Sequence, residues 1–117
     1  MSDNILTEQE IETLRTAILG DGDKFDYGKY RFSLLPLNEL KSVIDVLEYG
    51  AEKYEVDNWQ KVPNAETRYF DAAMRHILAH RKGEITDPES GLPHLAHAVC
   101  SLLFLMWFNN QEAGNAS

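Results

Sequence analysis

Hydrophobic positions recur at helical spacing along most of the chain, and each run carries its own start and stop signals. Ile11, Leu14 and Ile18 form the first stripe. Thr7-Glu8-Gln9-Glu10 precedes it as a capping box, in which the threonine hydroxyl accepts from an early backbone N–H and Glu10 reaches back. Leu6 and Ile11 have the spacing of a hydrophobic staple, and Gly20 is a natural stop. A second stripe, Leu40, Val43, Ile44 and Leu47, follows Asn38 as cap and is expected to end around Gly50–Tyr54, with a turn at 55–58. The third, Tyr69, Phe70, Ala73, Met74, Ile77 and Leu78, is expected to start at Pro63-Asn64 and stop before Gly83. After a linker at 83–93 with two glycines and two prolines, a fourth helix is predicted from about Pro93 to Phe108. It is apolar nearly all round after His97, as expected of a central or interface helix.

Residues 20–36, with three glycines and the pair Lys29 and Arg31, read as a long N-terminal loop. No internal repeat appears, and no strand signal is longer than Tyr30–Leu35. The expectation is an all-α, four-helix bundle forming a single domain over 1–117. In it, 1–20 is an extra N-terminal helix and 109–117 a frayed polar tail.

Composition agrees with one globular core: 117 residues, 44% hydrophobic and 26% charged. The formal charge of −8 and pI near 4.8 argue against a general nucleic-acid binder, which normally shows a basic face. Cys100 is the only cysteine, so no intramolecular disulfide is expected, and within an apolar helix it reads as a small buried hydrophobe. The start MSDNILTEQE lacks the basic and apolar regions of a signal peptide. The apolar run Leu95–Phe108 falls short of the roughly 20 residues a membrane crossing needs. A cytoplasmic location, with no membrane partner, is the expectation.

The chemistry concentrates in a few places. His94 and His97 stand one turn apart on one helical face, a spacing that suits two ligands to one metal, or one ligand and one phosphate contact. They open a greasy helix and follow a loop bearing Glu84, Asp87 and Glu89. A pair of hydrogen-bonded structural histidines is the alternative. Asp45, Glu48 and Glu52 share one side of the second helix, where like charges repel unless a cation sits among them; a solvated face is the alternative. Tyr54, Asn58 and Trp59 could pack and read a base, or Trp59 could cap the core while Asn58 makes the turn. Lys29, Arg31, Arg75, His76 and Arg81 are the available phosphate partners, Arg75 being structural if Asp71 engages it fully. No Walker phosphate loop, Gly-x-Gly-x-x-Gly fingerprint or Gly-x-Ser-x-Gly motif is present.

Several segments, in order, resemble a known family: KFDYGKYRFSLLP at 24–36, YGAEKY at 49–54, Asn58-Trp59, DAAMRH at 71–76 and DPESGLPHLAHA at 87–98. They look like phage and prophage proteins described as dATP/dGTP diphosphohydrolase-like, N-terminal-domain proteins, similar to the wider MazG-like all-α nucleotide pyrophosphohydrolases. The resemblance covers roughly residues 24–106. It implies hydrolysis of a (deoxy)purine nucleoside triphosphate to monophosphate and pyrophosphate, in the host cytoplasm if phage-encoded. Such enzymes hold Mg²⁺ on a Glu-x-x-Glu … Glu-x-x-Asp pattern. Here Glu48 and Glu52 are four apart, while Asp45 and Glu48 have the three-residue spacing. The second half is either Arg68–Asp71, keeping only the aspartate, or His94–His97, where both acids are histidines.

The resemblance thus implies Glu48, Glu52, Asp71, His94 and His97 as metal candidates, with Glu52 and Asp71 catalytic. Mg²⁺ or Mn²⁺ is the expected cofactor, and the histidines shift the preference toward a softer ion. Lys29, Arg31, Lys53, Arg75 and His76 would steady phosphates, and Tyr54, Asn58 and Trp59 the base. The last helix would mediate a homo-oligomer. The alternative is a non-catalytic phage protein that binds and sequesters a nucleotide or nucleotide-derived signal. A helical interaction module that binds no nucleotide is the third reading.

Overall fold

The computed structural model describes residues 6–19 and 26–116; the helix stop expected at Gly20 and the Ile18 side chain of the first stripe lie outside what it describes. The protein is all-α, with helices α1 (Glu8–Leu19), α2 (Leu37–Lys53), α3 (Ala65–Arg81) and α4 (His94–Ala116) and 3-10 turns at Phe32–Leu34 and Asn58–Lys61. Among the described residues the only β feature is an isolated antiparallel bridge between Thr86 and Pro93. The chain forms two compact units, residues 1–32 and 33–117.

In the first unit the capping box closes as the residue pattern requires. Glu10 N donates to Thr7 Oγ1 at 3.1 Å and Thr7 N to Glu10 Oε1 at 2.7 Å. Of the loop expected at 20–36, residues 26–29 make a turn closed by Lys29 N donating to Asp26 O, with Gly28 at φ 83°.

In the second unit α2, α3 and α4 pack together. The core is built from small side chains: Val43 and Val46 of α2, Ala73 of α3, and Ala96, Ala98, Cys100 and Ser101 of α4 are buried. Leu40, Leu92 and Phe104 pack against it. Small residues let helices approach closely, and the large apolar residues are left beside the seam instead of in it. This corrects the expected buried stripe of α3. Ala73 is buried and Tyr69 half-buried, but Phe70, Met74, Ile77 and Leu78 are exposed.

Two helix limits also differ from expectation. α2 begins at Leu37 with Pro36 as cap and makes no side-chain cap bond; the Pro36 carbonyl, set at φ −74°, accepts the first helical bond from Leu40 N. α4 continues through the tail expected to fray, reaching Ala116. Asn109 to Ala113 contains no proline or glycine, and polarity alone does not stop a helix.

Candidate functional site

Three side chains of one histidine cluster come from two helices and are oriented by the loop between them. α3 ends in a Schellman motif: Glu84 N donates to Ala79 O and Gly83 N to His80 O, with Gly83 at φ 107°. The loop then folds back on itself. Asp87 N donates to Leu92 O, Gly91 N to Asp87 O, and His94 N to Ile85 O, the last at 2.9 Å. Gly91 takes φ 75°, a conformation that disfavours a side chain. This closed loop sets Glu84, Asp87 and Ser90 against the first turn of α4.

His94 is buried, and both of its nitrogens are engaged: Nε2 lies 2.7 Å from Glu84 Oε1, and Nδ1 lies 2.8 Å from His76 Nδ1. His97 Nε2 sits 2.7 Å from Ser90 Oγ and 3.5 Å from Asp87 Oδ2. The His76 and His97 rings stack at 4.6 Å and 10°. Asp87 is itself held, since its Oδ1 accepts from Glu89 N at 3.0 Å. Burial holds the His76 and His97 imidazoles below the ordinary histidine pKa; neighbouring histidines add to this at both, and Asp87 opposes it.

Beside this cluster lies a groove of about 900 Å³. Its walls include Lys53, Tyr54, Asn58, Trp59, Arg68, Asp71, Arg75 and His97. Trp59 stacks on Phe104 at 4.3 Å and meets Trp107 edge-on, so the indole is both groove wall and part of an aromatic cluster. Asn58 N donates to Glu55 O at the turn expected there. At the rim Lys53 Nζ donates to Glu89 Oε2 at 2.6 Å and Tyr49 Oη donates to the same oxygen at 3.2 Å. The hydrogen bond to Lys53 pulls the Glu89 carboxyl below its usual range. That same bond keeps the Lys53 ammonium protonated well above its ordinary range.

Of the residues singled out from the sequence, Lys53, Tyr54, Asn58, Trp59, Asp71, Arg75 and His97 therefore share one groove. Asp71 and Arg75 are not ion-paired with each other, leaving both side chains to the groove. Glu48 and Glu52 are exposed on α2 and are not among the residues lining it. Lys29 and Arg31 are exposed in the first unit. Among the described residues one set of three brings potential metal-ligand atoms within 4.8 Å of one another: His76, Asp87 and His97. Glu48, Glu52, Asp71 and His94 are not in it. The acidity of the loop is plain from Glu84, Asp87 and Glu89, whereas Ser90 and Tyr49 join the site without being expected there. The compact signal for Ser90 was Asp87-Pro88-Glu89-Ser90-Gly91, a turn that must bring its polar side chains back toward the next helix.

Residues 20–117 match the family described as dATP/dGTP diphosphohydrolase, N-terminal. A dATP/dGTP diphosphohydrolase of Salmonella phage PMBT28 is 40% identical over 91 residues, which is 78% of this chain and 31% of that protein. The chain thus spans about a third of the length of this curated relative. No solved structure matches it.

Proposed function

This chain belongs to the dATP/dGTP diphosphohydrolase N-terminal family, and on that footing we propose that it acts in nucleotide hydrolysis. The substrate would be a purine (deoxy)nucleoside triphosphate, cleaved by water to monophosphate and pyrophosphate. The observation that carries this reading is the composition of the groove: Tyr54 and Trp59 supply aromatic faces, Asn58 a base-edge partner, and Lys53, Arg68 and Arg75 positive charge, with Asp71 in the same wall. The relative from Salmonella phage PMBT28 bears the name of this activity.

A divalent ion, Mg²⁺ or Mn²⁺, would neutralise the phosphates when bound. Asp71 is the expected carboxylate that lines the groove; Glu48 and Glu52 lie outside it, so the carboxylate set implied by the resemblance does not fit one ion in a single chain. That mismatch favours the second reading, a protein that binds and sequesters the nucleotide without consuming it. The apolar outer faces of α3 (Phe70, Met74, Leu78) and α4 (Leu95, Val99, Leu102, Met106) support self-association. No helix is long and apolar enough to cross a membrane among the described residues, and a cytoplasmic location remains part of the proposal.

The test is incubation of the purified chain with dATP and dGTP in Mg²⁺ or Mn²⁺, with chromatography of the products. Appearance of monophosphate and pyrophosphate is expected. A thermal shift with intact nucleotide recovered would favour sequestration, and neither shift nor product would sink both readings.

A further inference from the structure

We propose that His76, Asp87 and His97 form a binding site for a divalent transition-metal ion, separate from the carboxylates Glu48, Glu52 and Asp71. The assignment concerns where an ion sits and does not depend on the reaction proposed for the groove.

Three observations converge on it. First, the donor set is two imidazoles and one carboxylate, with ligand atoms within 4.8 Å of one another. Four-coordinate ligands about 2.1 Å from an ion stand roughly 3.4 Å apart, a spacing reached by small rotations of the three side chains. This set suits zinc, ferrous iron or manganese better than Mg²⁺, which favours oxygen ligands throughout.

Second, the hydrogen-bond network orients the ligands outward. Glu84 Oε1 accepts from His94 Nε2, so with one proton on the ring His94 keeps its lone pair on Nδ1. That lone pair accepts from His76 Nδ1–H, which leaves the lone pair of His76 on Nε2. A ring whose second nitrogen donates to a fixed acceptor is the usual arrangement behind a metal-ligating histidine. On the other ring, His97 Nε2, the atom an ion would take, lies 2.7 Å from Ser90 Oγ, a hydroxyl that can turn its proton toward the nitrogen or away from it. Asp87 keeps Oδ2 near that nitrogen, at 3.5 Å, while Oδ1 is tied to backbone.

Third, the setting limits competition from water. The side chains of His97 and Asp87 are 13% and 17% exposed, and His76 is half-buried. His97 also lines the groove, so an ion held here stands at its wall with coordination positions left for a further ligand.

The test is titration of the chelator-treated full chain with Co²⁺ alone, read by its visible d–d absorption and by isothermal calorimetry. One equivalent with clear d–d bands is expected, surviving millimolar Mg²⁺. His97→Ala and the near-isosteric Asp87→Asn should abolish the bands while far-ultraviolet circular dichroism stays helical. Glu84→Gln, acting only through His94 and His76, should weaken binding by about 10- to 100-fold. Absence of bands in the wild type, or bands unchanged in both His97→Ala and Asp87→Asn, overturns the site. Pyrophosphate release measured in parallel keeps the two readings apart. Hydrolysis in Mg²⁺ without cobalt bands sinks the site alone, and cobalt bands without hydrolysis sink the reaction alone.

Discussion

His94 Nδ1 lies 2.8 Å from His76 Nδ1, joining the first turn of α4 to the middle of α3 by a hydrogen bond between two rings. With His94 buried and its far nitrogen on Glu84, the pair is a polar pin through an otherwise small-residue seam. Removing one partner leaves the other short of a bond in a half-buried place. His94→Ala should therefore cost about 2 kcal/mol of stability, measured as a lower urea midpoint at unchanged slope. A midpoint equal to that of the wild type would show the pin to be idle.

Trp59 is asked to do two things, to stack on Phe104 and to face the groove. Trp59→Ala should cost about 3 kcal/mol and abolish the thermal shift given by dGTP. Trp59→Phe, which keeps a ring on Phe104, should cost under about 1.5 kcal/mol and retain part of the shift. Equal loss of the shift in both variants would mean that the indole N–H, not the aromatic face, engages the ligand.

The Lys53–Glu89 pair gives a signed pH dependence. Glu89 titrates lower in the folded chain than its unfolded value of about 4.3. Its contribution is thus present above about pH 4.3 and lost as pH falls through the lower folded value. Both side chains are substantially exposed, so the effect is small and screened by salt. The difference in melting temperature between wild type and Lys53→Met should shrink from pH 7 to pH 3, and shrink also at about 1 M salt. A difference that is constant across that range would rule the ion pair out as its cause.

Cys100 is 2% exposed, its Sγ donates to Val43 O at 3.4 Å, and burial pushes the thiol up to about 12. The thiolate is the reactive form. Iodoacetamide at pH 8 should leave the native chain unmodified and label one site in denaturant, as read by mass spectrometry. Native labelling at the rate of a free thiol would contradict the packing of α4 on α2.

What could be read from the sequence was what depends on neighbours along the chain. The capping box at Thr7–Glu10 and the glycine stop at Gly83 are local chemistry, and both are where the residues put them. The cap of α2 lies two residues before Asn38, the better cap by type, because the Pro36 carbonyl already accepts from Leu40 N. The exposure of Phe70 and Met74 was not legible, because periodicity reports a stripe but not which part of it a neighbouring helix covers. For the same reason His94 and His97 stood out as a pair, while His76, eighteen residues earlier than His94, looked like a phosphate contact. Only the crossing of α3 and α4 brings its ring onto theirs.

The closed loop at 83–93 has a consequence for how this chain can change over time. Because His94 N is tied to Ile85 O and Thr86 bridges Pro93, the loop sets the rotational phase at which α4 begins. The ring also holds Asp87 and Ser90 against His97, so one residue gained or lost inside it would move those two side chains off the imidazole even while α4 keeps its phase. Elsewhere a surface connection tolerates insertions. Here length itself is part of the chemistry, and drift in this segment should run through substitution, not through indels.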